Sequence, residues 1–453
     1  MKLTFFGGAG TVTGSKILLE TDRKKILIDC GLFQGIKELR LKNRDALSID
    51  INELDAVFLT HAHLDHCGYL PVLVKNGFPG KIYCTPATKD LTKIILLDSA
   101  KIQEEDARRA NLHNYTKHSP AKPLYEVKDA EAVFSHFETF ETAQWHALDD
   151  EIQFKFLNSG HILGSVFVLL KVNGKTIVFS GDIGRSTPII LNPYKYIEQA
   201  DYLVVESTYG NRLHESVSIQ HELLKHIEHT HKKGGVLMIP TFSVERAQEI
   251  IYLLSILKRN GLLPKNPIYL DSPMGVNATQ VYFSYPEDHR LSRDDIESML
   301  STVELISEVE ASKAIVNDDA PKIVLAGSGM ITGGRILHYF NKYISDPKNS
   351  VLIVGYQAEG TRGKALLSGD TELKFFGEYH KIKAEIFKIN AFSGHADQNE
   401  LMDWLRHFKK PPELTFINHG EPHQSQAFKT KIRTELNWNC TVAQMNHEYY
   451  LDR

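Results

Sequence analysis

Short apolar runs, most of them bounded by glycine or polar turns, punctuate the first half of the chain at residues 3–6, 16–19, 26–28, 56–59, 81–84, 152–156, 167–172, 176–179 and 202–205. Runs of this length and punctuation predict β-strands. Residues 90–113, 219–232 and 244–260 instead carry apolar positions at helical spacing. Strands in hairpin-like succession mixed with helices predict sheet layers covered by helices, an α/β sandwich. From about 207 to 381 the pattern changes to strands alternating with helices, with strand-like runs at 322–325, 351–354 and 375–376. The polar segment 289–319 reads as helical. After 381 the chain returns to polar motifs like those of its first half. That order predicts a second domain inserted into the first, as 1–208, 209–381 and 382–453.

Length agrees with two domains, since 453 residues exceed the roughly 250–300 at which single cores stop growing. At 42% hydrophobic and 24% charged residues the composition is that of a soluble globular protein. No apolar run approaches the ~18 residues of a membrane span. Residues 2–6 are already strand-like, so no secretion leader is expected and a cytoplasmic location is. The four cysteines, Cys30, Cys67, Cys84 and Cys440, form no CxxC pair, which argues against a disulfide framework and a cysteine zinc site. A net charge of −4 leans against a nucleic-acid binder. Bound metal ions would add positive charge that a side-chain count omits.

The densest chemistry lies in His61-Ala-His63-Leu-Asp65-His66, directly after the run 56–59. Alternate residues leaving a strand point to one side, so His61 and His63 can converge on one ion. Asp65 and His66 enter a turn toward a helix-like segment, 69–74, and can reach a second. Imidazole and carboxylate are zinc ligands. Three further residues sit in turns after apolar runs: His161 in Asn158-Ser-Gly-His-Ile-Leu-Gly-Ser165, Asp182 in Phe179-Ser-Gly-Asp-Ile-Gly184, and His419 in Phe416-Ile-Asn-His-Gly-Glu421. Each alone is an ordinary turn residue. Together they supply the ligands of a binuclear site with one bridging carboxylate.

Asp29 (in Leu27-Ile-Asp-Cys-Gly31), the His61–His66 motif, His161 and Asp182 occur in the order of the metallo-β-lactamase superfamily, which the chain resembles. Glu206 in Val205-Glu-Ser-Thr-Tyr-Gly210, His395 in Phe392-Ser-Gly-His-Ala-Asp397 and His419 resemble motifs A, B and C of its β-CASP branch. The stretches 329–334 and 355–361 are similar to that branch too. The resemblance implies a metallo-β-lactamase αββα sandwich with an inserted β-CASP α/β domain. Within the branch, the chain is most similar to RNA endonucleases such as the catalytic subunit of cleavage and polyadenylation specificity factor and its prokaryotic relatives, in the form without KH domains. It looks less like the RNase J and DNA-repair groups, whose C-terminal extensions it lacks.

Carried over by position, the resemblance implies that His61, His63 and His161 hold one zinc, that Asp65, His66 and His419 hold another, and that Asp182 bridges them. Manganese or iron fits the same ligands. Asp29 would orient the histidines by hydrogen bonds. His395, held by Glu206, would be the general acid, and Asp65 and Asp182 would complete the catalytic set. The activity implied is hydrolysis of single-stranded RNA in a slot closed by the inserted domain. Endonucleolytic cuts and 5′–3′ trimming would leave 5′-phosphate and 3′-hydroxyl ends. A DNA nuclease of the same branch and a catalytically silent RNA-processing subunit stay open as alternatives. Arg246, Ser328, Gly329 and Lys364 are candidates for substrate phosphate. No membrane partner is implied, and a homodimer through residues 429–453 is.

Gly7-Gly-Ala-Gly-Thr-Val-Thr-Gly14 looks like a nucleotide loop but matches neither GxGxxG nor GxxxxGK, and a strand rather than a helix follows. Phosphate binding by either motif needs the helix N-terminus. It reads as a hairpin turn at the mouth of the site, with no nucleotide cofactor. His221, His226, His229 and His231 read as a solvated helix face. Cys30 and Cys67 read as small buried residues.

Overall fold

The computed structural model describes residues 1–113, 120–215, 217–358 and 360–451. Glu359 and residues 452–453, which belong to the 355–361 and 429–453 stretches, lie outside them. The chain divides into two units: Met1–Pro188 with Asn192–Leu213 and His395–Arg453 form one, and Ile189–Leu191 with His214–Gly394 form the other.

Two seven-stranded sheets, counted among the described residues, build the first unit. One runs in the order Glu448–Tyr450, Lys2–Gly7, Lys16–Glu20, Lys25–Ile28, Ala56–Phe58, Lys81–Cys84, Phe137–Thr139. The other runs Cys440–Val442, Leu414–Asn418, Tyr202–Glu206, Lys175–Phe179, Val166–Val172, Ile152–Asn158, Trp145–Ala147. The nine apolar runs of the first half all fall on these strands, only Leu59 of the run 56–59 lying just past its strand's end. Side-chain alternation explains the sandwich. Along Val166–Val172, the residues Val166, Val168, Leu170 and Val172 enter a core shared with Phe5, Phe58 and Ile28 of the other sheet. Phe167 and Leu169 point the opposite way, into a second core with Leu401, Trp404, Phe428 and Ile432. Those four lie on the helices Gln398–Arg406 and Pro422–Leu436. A strand buried on both faces reads as a continuous apolar run, as this one does. The arrangement is the expected αββα sandwich.

The second unit is an α/β domain around a six-stranded parallel sheet, Glu304–Ile306, Ile268–Asp271, Ile323–Ala326, Leu237–Pro240, Ser350–Ile353, Glu385–Lys388. Because Glu385–Lys388 pairs with Ser350–Ile353, this unit runs past residue 381 to Gly394. The segment 289–319 is not one helix. It forms the helix Arg293–Thr302, the strand Glu304–Ile306 and the helix Val309–Asn317. Phe375 ends a strand while Phe376 turns out of it into the hairpin formed by Glu372–Phe375 and Glu378–Lys381. The histidine-rich helix Ile219–Lys232 is only partly solvated. His226 is buried with its ring 4.2 Å from that of Phe387, and His229 Nε2 lies 2.6 Å from Glu385 Oε2.

Candidate metal centre

Most residues of the candidate centre lie at or just after the C-terminal end of a strand in the first unit. Parallel neighbours bring those ends together: Lys25–Ile28 beside Ala56–Phe58 in one sheet, and Lys175–Phe179 beside Tyr202–Glu206 and Leu414–Asn418 in the other. Asp29, His61, Asp182, Glu206 and His419 therefore converge, and His161 joins them after Ile152–Asn158. The loops pack backbone to backbone, which explains two of the motif glycines. A Cβ on Gly31 would sit 1.6 Å from the Asp65 carbonyl oxygen, and one on Gly184 would sit 1.9 Å from that of Gly160. The loop 8–14 joins two antiparallel strands, and His419 N–H donates to the Gly8 carbonyl at 2.8 Å.

Two clusters of ligand atoms result. In the first, His63 Nδ1 lies 3.1 Å from both His61 Nε2 and His161 Nε2. Asp182 Oδ2 lies 3.5 and 3.4 Å from the same two nitrogens. In the second, His66 Nε2 is 3.1 Å from His419 Nε2, and Asp65 Oδ2 is 3.9 and 3.5 Å from those nitrogens. Asp182 Oδ1 faces this second group, 3.4 Å from His66 Nε2 and 3.3 Å from His419 Nδ1. Bonds of about 2.0–2.1 Å at tetrahedral angles put ligand atoms about 3.3–3.4 Å apart. The first cluster matches that spacing within a few tenths of an ångström. Asp182 Oδ1 is buried and has no hydrogen-bond partner among the described residues, a costly state for a carboxylate unless a cation meets it. On both grounds the donor set fits divalent metal ions.

Hydrogen bonds behind the clusters set which ring nitrogen faces inward. Asp29 is buried, with a positive φ of 59° that aspartate tolerates better than most residues. Its Oδ2 lies 2.7 Å from His66 Nδ1, and its Oδ1 accepts from Thr60 N–H at 2.8 Å. Thr60 Oγ1 sits 3.0 Å from Asp29 Oδ1 and 3.0 Å from His61 Nδ1. With both Nδ1–H groups donating outward, His61 and His66 turn their Nε2 lone pairs to the clusters, which ligation requires. Thr60 was not singled out in the sequence, and neither was Thr208, whose Oγ1 is 3.3 Å from His419 Nδ1. Their sole sequence signal is position: Thr60 immediately precedes the histidine motif, and Thr208 lies two residues after Glu206.

Electrostatics follow from burial and crowding. Burial holds the His61 imidazole well below its ordinary value, helped by His66, and lowers His63 to about 4. Burial alone would push Asp182 up, but the surrounding imidazoles, His419 foremost, hold it well below the usual carboxylate range. His395 is only partly buried. Its Nδ1 lies 3.1 Å from Glu206 Oε1 and its Nε2 3.9 Å from Asp182 Oδ2. Burial opposes its charge, yet Glu206 and then Asp182 outweigh burial and raise it to about 9. Glu206 is itself fixed by the Ile183 and Thr208 N–H groups at 2.7 and 3.2 Å.

The phosphate candidates all lie in the second unit. Arg246 opens the helix Arg246–Arg259 but is buried, ion-paired to Glu249 and set 5.0 Å from the Phe392 ring. Ser328 Oγ accepts from Thr332 N–H at 2.9 Å, and the Gly329 carbonyl accepts from Gln357 at 2.9 Å. Lys364 lies on the helix Arg362–Leu367. Cys30 and Cys67 are fully buried free thiols, as expected. No helix among the described residues is long and apolar enough to cross a membrane.

Comparison with known proteins agrees with this centre. Residues 10–216 match the metallo-β-lactamase superfamily, 247–366 the β-CASP domain, and 379–443 the Zn-dependent metallo-hydrolase RNA specificity domain. The chain is 37% identical over 431 residues to "Ribonuclease TTHA0252" of Thermus thermophilus, covering 93% of each. It is 34% identical over 436 residues to the "RNase J-like protein" of Methanocaldococcus jannaschii, covering 95% of each. It is 31% identical over 451 residues to that organism's "Transcription termination factor FttA", covering 96% of this chain and 69% of the relative. A protein of unknown function from Enterococcus faecalis shares the fold over 99% of both chains, with a TM-score of 0.53 and 12% identity. The chain belongs to the β-CASP branch of the metallo-β-lactamase superfamily, and it is a metal-dependent hydrolase.

Proposed function

We propose that this protein is a zinc-dependent ribonuclease that hydrolyses phosphodiester bonds of single-stranded RNA, cutting internally and trimming 5′ to 3′. The observation that carries the reading is the pair of ligand clusters sharing Asp182, with the His395–Glu206 pair at their edge. His61, His63 and His161 would hold one zinc, and Asp65, His66 and His419 the other, Asp182 serving both through its two oxygens. Bound ions supply Lewis acidity toward phosphoryl oxygens and make water a better nucleophile near neutral pH.

The chain's own residues do the rest. Asp29 and Thr60 set the histidine tautomers. Glu206 accepts from His395 Nδ1–H, so Nε2–H faces the reaction centre. Carrying a proton on Nε2, His395 would give it to the departing 3′-oxygen. The products carry 5′-phosphate and 3′-hydroxyl ends. Of the phosphate candidates, Ser328, Gly329 and Lys364 keep that role in the proposal, while Arg246 would first have to exchange Glu249 for substrate.

The test is cleavage of 5′-labelled single-stranded RNA, beside DNA of the same sequence and a His395→Ala variant matched for zinc. Internal RNA cuts with 5′-phosphate ends, lost in the variant while metal analysis still gives two zinc per chain, support the mechanism. Equal cleavage by the variant removes His395 from it. Cleavage of DNA alone removes the RNA reading.

A further inference from the structure

In the second unit, the hairpin carries surface chemistry that its own packing does not use. The register Phe375–Glu378 leaves Phe376 and Gly377 as a two-residue turn, with φ of 52° and 88°. Positive φ at both positions is the type I′ pattern, for which Asn-Gly is the favoured pair. A phenylalanine there works against the backbone, because its Cβ crowds the carbonyl in the left-handed region. The residue nevertheless stays 49% exposed, its ring 5.1 Å from that of His338 and edge-on to that of Phe375 at 5.8 Å. A phenylalanine held at positive φ and still left half exposed points to a role for the ring outside the fold.

The hairpin's two faces differ. Leu373 and Phe375 are buried, with His380 stacked on Phe375 at 3.9 Å. The opposite face carries the cross-strand pairs Lys374–Tyr379 and Glu372–Lys381. Tyr379 is 68% exposed, the most exposed large hydrophobic side chain among the described residues. Lys374 Nζ lies 5.2 Å from its ring centroid, and Lys381 follows two residues on along the same face. Glu372 is the single acid of that face. Arg362 ties the hairpin to the loop bearing Ser328, donating to the Lys374 carbonyl at 2.7 Å and to those of Ile331 and Thr332 at 3.1 and 3.0 Å.

We propose that Tyr379 and Phe376 form a base-stacking surface for single-stranded RNA, with Lys374 and Lys381 meeting the intervening phosphates. Every base offers a π-face, so two exposed rings beside lysines bind single strands with little sequence preference. The lysines make that binding fall with salt. This rests on the ribonuclease reading and extends it to a binding surface in the second unit.

The experiment measures fluorescence anisotropy of a short, labelled, hydrolysis-resistant phosphorothioate oligouridylate with the zinc-loaded full chain. Variants are Tyr379→Ala and Phe376→Asn, with Leu300→Ala, an exposed apolar residue of the same unit, as control. Tyr379→Ala and Phe376→Asn are each expected to weaken binding about fivefold or more, and Leu300→Ala to leave it unchanged. Phe376→Asn is expected to keep or raise the Tm while binding falls, a split that a purely structural role would not produce. Hydrolysis of bis(p-nitrophenyl) phosphate, which offers no base to the hairpin, should be the same in all four proteins. Wild-type affinity in both hairpin variants would overturn the inference and leave the ribonuclease reading standing. Absence of RNA binding by every protein would overturn both. Loss of a dimer in sedimentation, with RNA affinity intact, would assign the rings to self-association and overturn the inference.

Discussion

Asp29→Asn isolates the hydrogen-bond chain behind the metal centre. Asparagine is isosteric and also tolerates the φ of 59° found there, so the backbone has no reason to move. The carboxylate serves three partners at once: Thr60 N–H at 2.8 Å, Thr60 Oγ1 at 3.0 Å, and His66 Nδ1 at 2.7 Å. An amide has one oxygen for these. If that oxygen stays with Thr60, an N–H₂ group faces His66, and the ring must shift its proton to Nε2 or turn away. Either response removes a lone pair from the second cluster. Thr60 relays the change to His61 in the first. Loss of a hydrogen-bonding partner behind a metal ligand typically costs 10–100-fold in affinity, or about 1.4–2.7 kcal/mol. Competition for zinc against a chromophoric chelator measures this directly, with circular dichroism of the metal-free proteins as the folding control. A correctly folded Asp29→Asn protein whose zinc affinities lie within twofold of wild type would refute the reasoning.

Chelating the metal should lower the Tm, because ions that bind only the folded state stabilise it by mass action, and zinc should restore it; an unchanged Tm would argue that the clusters hold no ion. Glu206→Gln should lower kcat for RNA with little change in zinc content, by less than the 10²–10⁴-fold expected for His395→Ala, and kinetics on metal-matched proteins decide it. Burial lowers the Lys16 ammonium from 10.5 to about 8, so between those values the unfolded chain binds the extra proton. Stability should therefore rise with pH from about 8 to 10.5, by about 3 kcal/mol. Denaturant titrations of wild type should show this rise relative to Lys16→Met, and parallel pH profiles would contradict it. Phe154→Ala, at a fully buried ring packed edge-on against Phe58 and tilted against Phe156, should cost about 3–5 kcal/mol in the same assay.

The sandwich was legible because its central strands are buried on both faces and so appear as unbroken apolar runs. Its edges were not. Phe137–Thr139, Trp145–Ala147, Cys440–Val442 and Glu448–Tyr450 are short, and three of the four have no fully buried residue. The segment 289–319 misled for a related reason: the strand Glu304–Ile306 sits at a sheet edge between two polar helices, so no apolar run marks it. His226 stacks on Phe387, a partner far along the chain that periodicity cannot reveal. The histidines and aspartates of the centre stood out because their types and turns are diagnostic. What the sequence hid was the layer behind them. A threonine such as Thr60 carries no motif of its own, and only the fold brings it between Asp29 and His61.

Lys2–Gly7 pairs with Glu448–Tyr450, and Tyr202–Glu206 with Leu414–Asn418. The first unit is thus closed by segments made after the second, which is almost wholly one continuous stretch. On a ribosome, the second unit can fold while the first still lacks strands, and the large loop-closure entropy of joining residues 2–7 to 448–450 is met late. His61, His63, His161 and Asp182 are all synthesised before that second stretch, whereas His395 and His419 come after it. A nascent chain could therefore gather one cluster of ligand atoms early, but not the other cluster or the His395–Glu206 pair. A chain not yet extended through His395 and His419 cannot cut RNA by the mechanism proposed above, including the message from which it is being made.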